Sequence, residues 1–154
     1  MMRYKSPFGL IYCVFEGEYL IELSFLKKPE LAHAGCPIVL DKQLAKELDD
    51  YFSGGLKEFR QKIKFISGTP FEQKIWLELR KIPAGKTRSY KWMAGRVGNA
   101  KASRAAGQAL GKNPIPLILP CHRIIASDGT LGGFSSGLKV KEWLLKHEKP
   151  IDKR

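Results

Sequence analysis

The chain is short of cysteine, short of acid and free of any long apolar run, and each shortage closes off a class of protein. Its three cysteines, Cys13, Cys36 and Cys121, are odd in number and widely spaced. They make no disulfide framework, and free thiols in a reducing, intracellular compartment (cytoplasm, nucleoid or nucleus) are expected. The opening Met1-Met2-Arg3-Tyr4-Lys5-Ser6-Pro7 lacks the apolar core of a signal peptide. No apolar stretch approaches the ~20 residues that span a bilayer, so no membrane partner is expected. His33 and Cys36 lie close together, but no second pair of ligands completes a tetrahedral zinc site. Neither a metal nor a cofactor is expected. Internal repeats and low-complexity segments are missing as well.

Acid is scarce in one half only. Over the whole chain 27 Lys and Arg face 15 Asp and Glu, a formal charge of +12. Residues 1–68 carry ten basic and nine acidic side chains, whereas 69–154 carry seventeen and six, or +11. A near-neutral half joined to a basic half suits a protein whose second half meets a polyanion, most simply nucleic acid. Charge alone leaves a generally basic, solubilising surface equally open.

What is present divides at Gly68-Thr69-Pro70, giving expected domains at 1–68 and 69–154 and an α+β fold. In the first, Leu10-Ile11-Tyr12-Cys13-Val14-Phe15 and Tyr19-Leu20-Ile21-Glu22-Leu23-Ser24-Phe25-Leu26 are β-rich runs around Glu16-Gly17-Glu18, a hairpin pattern. Leu44, Leu48, Tyr51 and Phe52 recur at helical spacing, predicting a helix over about 41–52 with Asp41 as its N-cap and Ser53-Gly54-Gly55 as its end. The alternating Gln61-Lys62-Ile63-Lys64-Phe65 suggests another strand.

The second domain is expected to be mainly helical. Thr69-Pro70-Phe71-Glu72 has the form of an N-cap, an N1 proline and an acidic first turn, with Phe71, Ile75, Trp76 and Leu79 as the apolar face. Ile82-Pro83-Ala84-Gly85-Lys86 breaks the chain. A helix then starts at Ser89, runs through Met93 and Val97 and stops at Gly98; Asn99 is placed to cap another over about 100–110. Two short helices joined by a tight turn form a helix-turn-helix pattern. In the second, Lys101, Ala102, Ser103, Ala105 and Gly107 surround one long cation, Arg104. Major-groove readers carry several long polar side chains. A small-residue face instead allows close approach, either to another helix or to a minor groove with Arg104 reaching into the base stack.

The most informative stretch is Pro116-Leu117-Ile118-Leu119-Pro120-Cys121-His122-Arg123-Ile124-Ile125. An apolar run delivers a thiol beside an imidazole and a guanidinium, both of which favour the thiolate. An isolated cysteine of this kind is more often inert packing, so its surroundings decide.

Those surroundings resemble a known family. Gly85-Lys86-Thr87-Arg88-Ser89-Tyr90, then Gly98-Asn99 through Arg104, Asn113-Pro114, Pro120-Cys121-His122-Arg123, Gly132-Gly133-Phe134-Ser135-Ser136-Gly137 and Lys141-Glu142-Trp143-Leu144-Leu145 are similar to blocks of the O6-alkylguanine-DNA alkyltransferases. The likeness is close over 69–148 and general in layout before that. It implies single-turnover transfer of an alkyl group from guanine O6 in duplex DNA to the protein's own Cys121, by a monomer that needs no cofactor. A soft thiolate suits attack on an alkyl carbon. The resemblance makes His122 the proton acceptor through a bridging water, since neighbouring side chains of an extended segment point apart, and Glu148 its orienting carboxylate. It makes Tyr90 the proton donor to the departing purine and Asn113 the brace of the active-site turn. The Ser135 N–H would meet the guanine O6, the carbonyls of Cys121 and Ile124 its exocyclic amine, and Arg104 would fill the place of the flipped base. Phe134 departs from a tyrosine common in the family, which removes a hydroxyl from the pocket wall. A non-catalytic alkylguanine-recognising protein, a transcription regulator and a cysteine hydrolase are the rivals; Cys121 itself, the small-residue helix and the lack of a turnover apparatus speak against them in that order.

Overall fold

The computed structural model describes residues 1–25, 39–55, 58–99, 101–134 and 136–149, so His33, Cys36 and Ser135 lie outside the described residues. The chain divides into two compact units, Met1–Ile66 with Pro114–Ile118, and Ser67–Asn113 with Leu119–Arg154. The segment at 114–118 groups with the first unit, where the Leu23 N–H donates to the Pro114 carbonyl at 2.9 Å. Within it the buried Leu117 sits at φ 76°, a left-handed conformation that costs a residue with a β-carbon about 1 kcal/mol or more.

In the first unit, β1 (Met2–Ser6), β2 (Gly9–Glu16) and β3 (Tyr19–Phe25) form an antiparallel meander in that order. The hairpin β2–β3 follows the sequence pattern; β1 is an additional strand whose buried ends, Met2 and Ser6, lie on one face. Met2, Cys13 and Leu23 pair across the three strands and are all buried. Burial pushes the Cys13 thiol up to about 12, leaving it protonated packing. Asp41 caps α1 (Lys42–Phe52) by accepting from the Leu44 N–H at 2.8 Å, and Gly54, at φ 90°, turns the chain away after it. Leu44, Leu48 and Tyr51 are buried, and Phe52 stacks on Tyr4 of β1 at 5.9 Å between ring centroids. The segment at 61–65 makes only a single parallel bridge, Leu20 to Ile63, rather than a full strand.

In the second unit, α2 (Pro70–Leu79) begins with a complete capping box: Thr69 accepts from the Glu72 N–H and Glu72 accepts from the Thr69 N–H. Trp76, 1% exposed, ties this helix to the next-but-one by donating its indole N–H to the Ala109 carbonyl at 2.8 Å. The helix pair is α3 (Tyr90–Arg96), capped by Ser89, and α4 (Ser103–Gly111). The latter starts later than its sequence suggests. Asn99 holds the Lys101 N–H with its side chain and the Ala102 N–H with its carbonyl, closing a turn in place of a cap, so Ala102 stands at the N-cap without a side-chain bond.

Two devices organise the rest. The two-residue strands β4 (Arg88–Ser89) and β5 (Ile124–Ile125) pair in parallel, Arg88 with Ile124 and Ser89 with Ile125. They set the N-terminus of α3 beside the 3₁₀ turn Cys121–Arg123. Helix α5 (Leu138–Glu148) then packs against that turn. Its residues 141, 144 and 148, at i, i+3 and i+7, share one stripe.

Candidate functional site

Cys121 opens the 3₁₀ turn. Its N–H donates to the Leu119 carbonyl at 2.7 Å, the same carbonyl that receives the Asn113 amide at 2.8 Å, and Arg123 N–H closes the turn onto Pro120 at 3.0 Å. The extended segment expected here is therefore a tight turn. Alternation of side chains across a strand does not apply to Cys121 and His122; their separation is one of depth. Cys121, 7% exposed, lines a pocket of about 640 Å³, whereas His122 is wholly buried behind it. The volume is within the ordinary range of small-ligand sites, roughly 300–1,000 Å³.

Behind the thiol lies a compact charge cluster. Glu148 bonds His122 Nε2 at 2.7 Å and takes two bonds from Arg123, at 2.9 Å from Nε and 2.8 Å from Nη2. The remaining terminal nitrogen of Arg123 donates to the Ile82 carbonyl at 2.7 Å. Burial works against the Glu148 carboxylate, but the bonds from His122 and Arg123 outweigh it and hold it well below the usual carboxylate range. Burial pulls the His122 imidazole down from its ordinary value, against the opposing pull of Glu148. An ionised carboxylate only accepts, so Nε2 of a neutral His122 carries the proton. Nδ1 is then a bare acceptor, buried with no hydrogen-bond partner among the described residues.

Burial pushes the Cys121 thiol up to about 11; a hydrogen bond from Asn113, the charge of Lys141 and main-chain donors pull the other way. At neutral pH Cys121 therefore rests as a thiol.

Lys141 is a candidate site residue that sequence reasoning passed over. It is completely buried, and its ammonium donates to the carbonyls of Ile124 at 2.7 Å, Gly133 at 3.2 Å and Leu131. All three of its protons are used, and the loop over the pocket is bound to β5. Burial lowers its pKa to about 8, so at neutral pH most of the charge remains beside the thiol. A lysine inside an apolar helical stripe was the available signal. Gly132 in the same loop, at φ 69°, has no room for a side chain: a β-carbon there would meet the Tyr90 hydroxyl at 2.6 Å.

The pocket brings Cys121 together with Tyr90, Ser103, Arg104, Gly107, Gln108 and Phe134. Gly107 lies against the Tyr90 ring, where a β-carbon would stand at an ordinary contact distance of 3.7 Å. Asn113, His122 and Glu148 stand behind this wall. Lys101 and Ala105 are exposed and Ala102 half-buried, and none of the three lines the pocket. Neither does Ile124: its carbonyl receives Lys141, and that of Cys121 receives the Ile124 N–H. The residue proposed to meet the guanine O6, Ser135, lies outside the described residues. Among the described residues no group of three His, Cys, Asp or Glu side chains is placed to hold a metal ion.

Fold and site thus define an α+β protein in which a cysteine lines a pocket beside a helix pair and is followed by a buried imidazole–carboxylate pair. The model of the 6-O-methylguanine DNA methyltransferase, DNA binding domain, matches residues 70–150. A methylated-DNA–protein-cysteine methyltransferase of Methanosarcina acetivorans is 40% identical over 149 residues, 94% of this chain and 95% of its own. One from Haemophilus influenzae is 37% identical, covering 95% of this chain and 84% of its own. Among solved structures, Mycobacterium tuberculosis OGT in complex with DNA superposes with a TM-score of 0.87 at 36% identity, over 96% of this chain and 91% of that one. The chain belongs to the 6-O-methylguanine DNA methyltransferase family.

Proposed function

We propose that the protein repairs DNA by direct reversal, moving an alkyl group from guanine O6 in a duplex to Cys121 and being consumed in the act. The observation that carries this reading is a thiol lining a pocket large enough for a nucleobase, followed by a neutral imidazole held by Glu148. The Cys121 proton passes to His122 Nδ1 through a bridging water. The thiolate attacks the alkyl carbon, an S–C bond forms and the C–O6 bond breaks. The guanine leaves with the electron pair and takes a proton from Tyr90, whose phenolate is reprotonated from solvent. The resulting thioether has no good leaving group, so one chain serves one lesion.

Reaching a thiol in a pocket requires the base to leave its stack, at a cost of a few kcal/mol. In this reading Arg104, exposed on α4 and lining the pocket, fills the gap, and the small residues around it allow close approach to the minor groove. Residues 69–154 carry DNA binding and chemistry, 1–68 a supporting domain, and the protein acts as an intracellular monomer. Among the described residues no helix is long and apolar enough to cross a membrane.

The test is the intact mass after incubation with a duplex holding one O6-methylguanine. A gain of one methyl, ~14 Da, confined to the Cys121 peptide and absent in Cys121→Ala, is expected. Tight lesion binding with unchanged mass would move the protein to non-catalytic recognition.

A further inference from the structure

The outward side of α3 carries a feature that the repair chemistry does not use. Between 86 and 96 the sequence holds Lys86, Arg88, Lys91 and Arg96 and no acid. Trp92, half-exposed in the middle of this run, is flanked by two guanidiniums, Arg88 at 5.5 Å and Arg96 at 5.6 Å from its ring centre. The three residues are spaced by four, with Arg88 just ahead of the helix. On α3 the buried Met93 and Ala94 define the inward side, and Lys91, Trp92 and Arg96 the outward one.

A cation–π pair of this kind restrains each guanidinium without using up its hydrogen-bond donors. Arg96 spends Nε on Glu78 at 3.4 Å and Arg88 one terminal nitrogen on the Thr87 carbonyl at 2.9 Å. The other donors of both have no acceptor among the described residues. The arrangement is a row of pre-oriented, planar cations around an aromatic face, with Lys86 and Lys91 exposed beside it. Guanidinium forks match phosphate oxygens.

We infer that Arg88, Trp92 and Arg96 form a phosphate-binding ladder for the DNA backbone, separate from the pocket and from α4. The inference rests on the repair reading only for its partner, DNA. The ladder reads no sequence and no lesion; it supplies affinity for any duplex and holds the DNA while α4 searches for the damaged base.

The test compares the wild type with the Arg88→Gln/Arg96→Gln double variant on an undamaged duplex over a salt series. If each arginine neutralises one phosphate, the slope of log K against log salt becomes shallower by about 1.8, and affinity near 0.1 M salt drops by about tenfold or more. Alkylation of Cys121 by free O6-methylguanine base, which offers no phosphate, is the internal reference: the ratio of duplex to free-base transfer rates falls with the affinity. Trp92→Phe, which keeps an aromatic face, retains most of the binding, whereas Trp92→Ala loses part of it. A folded double variant with unaltered slope and affinity overturns the ladder. A wild type that binds duplex with the expected slope but takes up no methyl group overturns the repair reading and leaves the ladder standing.

Discussion

At the scale of single residues the site is organised by burial, and each buried charge has a partner whose removal is measurable. Glu148 is 3% exposed at its side chain and Arg123 8%, and they meet through two hydrogen bonds. Glu148→Gln leaves the guanidinium buried without its counter-ion, a loss of about 3–5 kcal/mol in unfolding free energy. It also removes the carboxylate that fixes the His122 tautomer, and transfer is expected to slow by about 100-fold, the low end of what a positioned base contributes. Denaturant unfolding and single-turnover kinetics read the two effects; a variant unaltered in both would refute the assigned role of the cluster. Lys141 acts on the thiol through charge and on the loop through three carbonyls. In Lys141→Met the thiol titrates still higher, and a rise of one unit lowers the thiolate fraction tenfold. Transfer at neutral pH is expected to fall by about that factor, alongside an upward displacement of the pH at which Cys121 reacts with a thiol reagent. An unmoved titration in a folded variant would reduce Lys141 to packing.

At the scale of elements, the placement of Tyr90 depends on a two-residue ladder and a cap. Ser89 pairs with Ile125 and accepts from the Trp92 N–H at 3.0 Å, fixing the first turn of α3 and with it Tyr90 at the pocket. Ser89→Ala removes the cap at about 1 kcal/mol, whereas Ser89→Gly costs only a few tenths. The expected outcome is a lower thermal midpoint and slower transfer in Ser89→Ala than in Ser89→Gly; equal behaviour of the two would show that the cap does not hold the tyrosine. Helices of this kind were legible in the sequence wherever side chains did the signalling. Thr69 with Glu72 announced α2, Asp41 announced α1, and the Cys-His-Arg block pointed to the candidate site. Other elements signalled poorly. Helix α5 starts at Gly137 with no side-chain cap, and its inward stripe carries a lysine where an apolar residue is expected. Strand β1 is five residues long and half polar, and Asn99 has the chemistry of a helix cap but spends it on a turn. The loop network around Lys141 consists of carbonyls, which every residue has, so no side-chain pattern reveals it.

At the scale of the whole molecule, the same buried groups set how stability depends on pH. His122 is held below its ordinary value, mainly by burial, so as pH falls through about 6.5 the unfolded chain takes up a proton that the folded chain refuses. Glu148 is held below the carboxylate range, so under about pH 4.3 the unfolded chain again binds the extra proton. Wherever the unfolded state binds more protons, stability rises with pH. Both groups therefore lower stability on acidification, in two successive steps. Loss of carboxylate charge also raises a net charge already at +12 and adds self-repulsion. On the alkaline side the groups oppose one another. Lys141, lowered to about 8, adds stability as pH rises from 8 toward 10.5, whereas Cys13 and Cys121, raised to about 12 and about 11, lose it above pH 9. The thermal midpoint, followed by circular dichroism at constant ionic strength, is expected to be highest between about pH 7 and 9 and to fall in two stages below it. In His122→Gln the upper acid stage disappears while the lower one remains. A wild-type midpoint that stays level from pH 7 to 4, or an upper stage that survives this substitution, would mean that the cluster behind Cys121 is not what links folding to protonation.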